Sequence, residues 1–404
     1  MLSTAPESAA PAEQGLQTRR WVLGWAVSRV ALVLLIPVAV ESAALADVAG
    51  YFDWAQQAWL HGRLPGRDFA SEYPPGSLPL ILLPATGHGP YGYLRYFASL
   101  VLVFDAGLLM LLLDRSRQSR ETLGLWLWLA GPLLLGPLLL EHFDLVPAVL
   151  AAAALALVTR FPARAGALLT AAAAVKIWPA ALVGLLVARR DSRKRAAVAV
   201  SLTAVAIVLL SWAAGVLDGW RTTFAQQGSR GLQVEAVAAT PFDWWSSHPA
   251  FRHGAWEVSS SGATALAGLV WYAGLVAVAL LLVVVCRRLA GGLQVDVPLA
   301  GAAIVALLMV VDKALSPQYV VWLLAVLAVA ATRPFPSRRA AVALGLTVAA
   351  ATHIVYPLTY TPFLHGAVGP LLALTVRNTA LVVLAWLLIR DTLVVRPVEV
   401  ARAP

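Results

Sequence analysis

Cysteine is all but missing from this 404-residue chain: Cys286 stands alone, so no disulfide can close within it. Charge is scarce too. Asp, Glu, Lys and Arg supply 13% of the residues, roughly half of what a soluble domain carries. No Gly-rich phosphate loop, dinucleotide-binding fingerprint or HExxH helix occurs, and no Cys/His group has zinc spacing. Residues 1–18 lack the apolar run of a signal peptide; being small and polar, they read as a disordered cytoplasmic N-terminus. These absences exclude a disulfide-stapled domain and an enzyme fed by its own nucleotide-binding module.

What is there is apolar. Hydrophobic residues make up 60% of the chain and mean hydropathy is +0.77. Apolar runs of roughly 16 to 25 residues recur, matching the ~20 that a helix needs to cross a bilayer. The net charge of +9 resembles a nucleic-acid signal until the basic residues are placed. Twenty of the 30 fall in short loops that alternate with apolar runs, among them Arg115 to Arg120, Arg160 and Arg164, Arg189 to Arg195, and Arg333 to Arg339. That positive-inside bias puts both termini in the cytoplasm, including a tail at 393–404, and DNA binding is rejected.

The pattern predicts an all-α polytopic membrane protein with about ten full crossings, from 21–40 to 371–389. There is no internal repeat and no soluble domain; residues 19–392 read as one transmembrane domain. The segment 165–188 has basic flanks on both sides and breaks at Lys176-Ile177-Trp178-Pro179, which predicts a re-entrant helix pair. Broken backbone inside a membrane is tolerated where it packs in protein or lines a cavity, so Lys176 is expected in a cavity. Two large outer loops are expected, 41–76 and 215–262.

The first outer loop carries Asp47, Asp53, Asp68 and Glu72 among aromatic residues and ends in Tyr73-Pro74-Pro75. Asp47 opens a helix whose Tyr51, Ala55 and Trp59 follow an i+4 stripe; it reads either as an N-cap or as a catalytic carboxylate. Asp53, six residues on, faces roughly 120° away. Asp68 and Glu72 have the plainer reading of solvated acids beside Arg67 and Arg63. Arg29, Lys176, Lys313 and Arg377 lie in or beside apolar runs, where a charge costs ~2.5–3.5 kcal/mol and needs a cavity or a partner. The last three are expected to converge on an anion such as a phosphate, and Arg29 to serve helix packing. Asp144 beside His142 reads as a surface turn or a site acid, and His353 as a packed histidine or a ligand. No cofactor is expected, though a divalent metal stays open.

Taken together, several pieces resemble a known family. They are Asp47-x-x-x-Tyr51, Arg67-Asp68-Phe69, Glu72-Tyr73-Pro74-Pro75-Gly76, Phe143-Asp144-Leu145, Lys176-Ile177-Trp178-Pro179, Leu232-Gln233-Val234-Glu235, Ser316-Pro317-Gln318-Tyr319 and Arg377-Asn378. Their order is similar to that of bacterial membrane glycosyltransferases of the GT-C superfamily, in particular family 87, the polyprenyl-phosphate-mannose-dependent α-mannosyltransferases. Leu64-Pro65-Gly66 departs from the family's tyrosine-containing stretch there. The resemblance implies a GT-C-like bundle in a bacterial plasma membrane, with an outward-facing site and Asp47 as general base. It also implies a polyprenyl-phosphate sugar donor, a lipid or glycan acceptor, and a substrate set of Tyr51, Asp68, Glu72, Tyr73, Asp144, Lys176, Arg230, Gln233, Glu235, Lys313, Gln318, Tyr319, His353 and Arg377. A transporter or lipid flippase is the competing reading, raised by the broken segment at Lys176.

Overall fold

A computed structural model describes residues 11–39, 46–84, 86–245, 249–252 and 254–394. Helices dominate throughout. The principal ones are α1 (Pro11–Ala39), α2 (Ala46–His61), α3 (Gly89–Ser119), α4 (Leu123–Leu135), α5 (Leu145–Leu157), α6 (Pro162–Val175), α7 (Arg193–Ala213), α8 (Ser261–Ala290), α9 (Val297–Val311), α10 (Val320–Ala330), α11 (Arg338–His353) and α12 (Val368–Leu393). Every residue of α10 is buried, and most of α5 and α9 are too. A helix that is apolar all round belongs at the centre of a bundle. Close packing there relies on small residues: a Cβ on Gly124 of α4 would stand 2.2 Å from the Ala328 carbonyl oxygen of α10. By contrast α7 and α8 expose Leu202, Val205, Leu209, Leu269, Val276 and Leu280, an outer surface suited to lipid.

Among the described residues, five helices are long and apolar enough to cross a membrane; they lie within α3, α7, α8, α11 with its extension to Leu358, and α12. Ten complete crossings were expected. Four of those spans are instead short, α4, α5, α9 and α10 having 11 to 15 residues, and α6, in the expected re-entrant pair, has 14. At 1.5 Å per residue they reach roughly 17–23 Å, against ~30 Å of hydrocarbon.

The Arg-rich loops gather at one end of the bundle. Arg115 donates to the Ala156 carbonyl and to Thr332, Arg338 pairs with Glu121, Arg333 with Asp296, and Arg288 donates to the Leu393 carbonyl. The short helices run from that basic end and stop early. Their opposite ends, at Gly136, Asp144, Lys176, Asp312 and Tyr319, therefore form the floor of a recess. The break at Lys176 is present, and a 3₁₀ turn (Trp178–Leu182) and the short helix Val183–Val187 return the chain from it.

One feature departs from an all-helical loop. β1 (Pro249–Arg252) and β2 (Ala255–Val258) form an antiparallel hairpin, with Phe251 opposite Trp256. The segment after Arg230 adds to it, Val234 N–H donating to the Trp256 carbonyl and Val258 N–H to that of Leu232. The hairpin thus folds the second large loop over the recess side of the bundle.

Candidate active site

The N-terminus of α2 rests on an aromatic bed. Val48, Tyr51, Phe52 and Ala55 form its buried stripe, and Tyr51 packs on Phe97, Phe143 and Tyr73 with ring centroids 5.3 to 5.9 Å apart. That packing fixes Asp47, in the first turn, over the recess. Its Oδ2 lies 3.1 Å from His142 Nδ1. The two form an ion pair when the ring is protonated. Asp47 keeps 43% of its side chain exposed although desolvation is the largest influence on its acidity, as suits a group on a cavity wall. Burial alone would raise its pKa. His142, and then Lys176 and Arg230, outweigh that and hold it below the usual carboxylate value.

His142 belongs to the connection between α4 and α5. Gly136, at φ +77°, turns the chain after α4, and the short helix Leu138–Glu141 brings His142 and Asp144 inward. Both are buried, so the surface-turn reading of Asp144 does not hold. Burial opposes a charge on His142, yet Asp47, Asp144 and Glu141 around it raise its pKa. Glu141 is wholly buried, neither carboxyl oxygen has a hydrogen-bond partner among the described residues, and burial pushes its pKa up to about 7.

Asp144 Oδ1 accepts from Lys176 Nζ at 2.6 Å and from Trp322 Nε1 at 2.7 Å. Lys176 is also ringed by aromatic faces, Nζ lying 4.5 Å from the Tyr319 centroid, 5.2 Å from Trp322 and 5.7 Å from Tyr73. Trp178 and Tyr319 stack on Trp322 and stiffen this cage. Arg230 enters from the second loop and pairs with Glu72. Lys313 donates to the Gly228 carbonyl at 3.1 Å. Asp312 feels Arg230, Lys176 and Lys313 together, although burial still holds its carboxyl above the ordinary value. Gln318 is half-buried on the Pro317–Tyr319 turn, and Gln233 takes a long 3.4 Å hydrogen bond from Ser316 there.

Four expectations are corrected. Arg377 does not join the cations: it is buried in α12, donates to the Glu235 carbonyl and lies beside Glu235 and Asp243. Arg230 takes its place. Glu235, whose Oε1 accepts from Tyr360 at 2.6 Å, belongs to the same loop-anchoring network, with Asn378 bonded to Thr240. His353 packs on Gly136 and lies 3.1 Å from the Leu134 carbonyl, a helix-packing position outside the charged set. Asp68 is exposed and accepts from Leu64 N–H and Arg67, as the solvated-loop reading has it. Asp53 faces solvent on the outer side of α2.

The sequence reading passed over His142, Glu141 and Asp312 as site residues. Glu141 and His142 adjoin Asp144 in an apolar chain, which was the one available signal. A groove of about 460 Å³ leads away beside Lys176, walled by Ala173, Ala174, Ile177, Ile207, Val208 and Phe224. It lies between α6, α7 and the helix Asp218–Ser229, and its lining is almost entirely apolar.

A half-exposed acid, Asp47, near Lys176 and Arg230, each of these held by its own carboxylate, with an apolar groove beside Ile177, suits group transfer between a hydroxyl and a phosphate-linked donor. A search of the curated proteins matched none of them. The sequence model of glycosyltransferase family 87 matches residues 72–311, more than half of the chain. The match takes in Glu72, Asp144, Lys176 and Arg230 and begins after Asp47, which the fold returns to their side. The chain belongs to glycosyltransferase family 87 and is a GT-C-type membrane enzyme.

Proposed function

We propose that this glycosyltransferase moves a hexose, mannose in the first place, from a polyprenyl-phosphate donor to a hydroxyl of a lipid or glycan acceptor. The reaction takes place at the outer face of a bacterial plasma membrane, with Asp47 as general base. The observation that supports the reading is the grouping of Asp47 with His142, Lys176 and Arg230, Lys176 being held by Asp144 and Arg230 by Glu72.

In this account the acceptor hydroxyl approaches from the Asp47 side and gives its proton to that carboxylate. The oxygen attacks the anomeric carbon from the face opposite the phosphate, so configuration inverts and a β-linked donor gives an α-linked product. The lipid phosphate leaves with its negative charge toward Lys176, Arg230 and Lys313, and needs no proton donor. Asp144 and the aromatic cage hold Lys176 in place for that charge. The apolar groove beside Ile177 receives the first isoprene units. The recess floor, set by helices too short to span, lets a phosphate at the membrane edge reach the acid. The transporter reading lapses with the family.

The test is sugar transfer by membranes carrying the protein, with radiolabelled polyprenyl-phosphate mannose compared with GDP-mannose. Transfer from the lipid-linked donor alone is expected. Direct use of the nucleotide sugar, with lipid-linked synthesis blocked, would refute the proposed donor.

A further inference from the structure

The reaction as drawn leaves one buried titratable group beside the base without a task. His142 is 4% exposed, and its Nδ1 stands 3.1 Å from Asp47 Oδ2, joining the first turn of α2 to the α4–α5 connection across 95 residues of sequence. Asp47 is in the opening turn of its helix, where backbone packing alone gives a short side chain little direction. Resting on the reading of Asp47 as base, we propose that His142 is a positioning residue whose imidazolium holds the Asp47 carboxylate in the recess for the acceptor hydroxyl.

The surroundings favour the charged ring. Asp47 faces it from α2, and Asp144 and Glu141 face it from its own connection. Lys176 and Arg230 also act on Asp47, but each is paired with another carboxylate, Asp144 and Glu72. Asp47 and Asp144 beside one imidazole in a poorly solvated pocket stabilise its proton, and Glu141 adds to them where it is ionised, above about pH 7. The ring in turn opposes protonation of Asp47, which burial would otherwise favour. Removing it therefore has two consequences: the base is less well aimed, and it becomes protonated at higher pH.

Both are measurable on the full-length protein with labelled polyprenyl-phosphate mannose. His142→Gln is expected to lower kcat on the order of tenfold or more and leave the donor KM near its original value. The acid limb of its kcat/KM profile should move up by on the order of one pH unit. A residue that merely filled space would depress the rate alike at every pH. A second arm needs no activity: in Asp47→Asn, one of the seven histidine rings should titrate at lower pH by nitrogen NMR. An unmoved acid limb in His142→Gln, or seven unmoved rings in Asp47→Asn, overturns the proposal. Full transfer by Asp47→Asn with a shifted ring would instead remove Asp47 as base and leave the ion pair standing. An inactive Asp47→Asn with an unshifted His142→Gln profile would do the reverse.

Discussion

Asp47 keeps its charge in a place where burial alone would protonate it, because His142, Lys176 and Arg230 surround it. Glu141 has only the adjacent His142 against burial and the Asp47 charge, and its carboxyl has no hydrogen-bond partner among the described residues. Its carboxyl, ordinarily near 4.5, is raised to about 7, so the folded chain holds that proton more tightly than the unfolded chain does. The contribution of Glu141 to stability is therefore fullest below pH 4.5, falls as pH climbs from there to about 7, and stays reduced above. Glu141→Gln, which cannot ionise, should match the parent at pH 4.5 and exceed it at pH 8 by roughly 1–3 kcal/mol. Thermal unfolding at the two pH values checks this; an equal difference at both would contradict it.

At the scale of elements, several features were legible in the sequence. The i+4 stripe of α2 named Tyr51 and Ala55 as its buried face, and both are buried, whereas Trp59 at the end of the stripe is exposed. Lys176-Ile177-Trp178-Pro179 announced the break after α6, because a proline and a buried lysine cannot continue a lipid-facing helix. Other features were not legible. The apolar runs of α9 and α10 are bounded in the sequence by Asp312-Lys313 and Ser316-Pro317, yet their 15 and 11 helical residues fall short of the full crossings expected of them. The β-hairpin hid in a loop rich in Trp, its strands four residues each. Of the two arginines expected at the donor, Arg230 meets the acid and Arg377 does not, because which cation does so depends on how the second loop folds back. The turn at Pro75–Ser77 shows how tightly these ends meet: a Cβ on Gly76 would stand 2.4 Å from the Ala174 carbonyl oxygen, two residues before Lys176. Gly76→Ala is expected to cost about 1–3 kcal/mol by overpacking and to lower transfer. Gly107→Ala, with open space around it in α3, should do neither. Melting temperatures and transfer rates of the two variants provide the comparison.

The whole molecule has two polar poles and a buried tie between its first helix and the rest. Arg29 of α1 pairs with Asp105 of α3 at 2.6 Å, donates to the Trp128 carbonyl of α4, and shares Asp105 with Trp25. Arg29 was expected to serve packing; Asp105, its partner within an apolar run, went unremarked. Arg29→Ala strands a buried carboxylate and should cost about 3–5 kcal/mol, while Arg29→Met with Asp105→Leu should restore most of that. Thermal unfolding of the single and double variants reads the difference, and a double variant no more stable than the single would contradict it. The opposite poles divide the work: arginine-rich loops tie down one end, and the early-ending helices open the other for chemistry. The account stands most directly on the transfer rate of Asp47→Asn, measured beside Asp53→Asn at equal expression with a lipid-linked sugar donor. Asp47→Asn should lose on the order of 10²-fold or more in kcat and Asp53→Asn nothing. A wild-type rate in Asp47→Asn would contradict it.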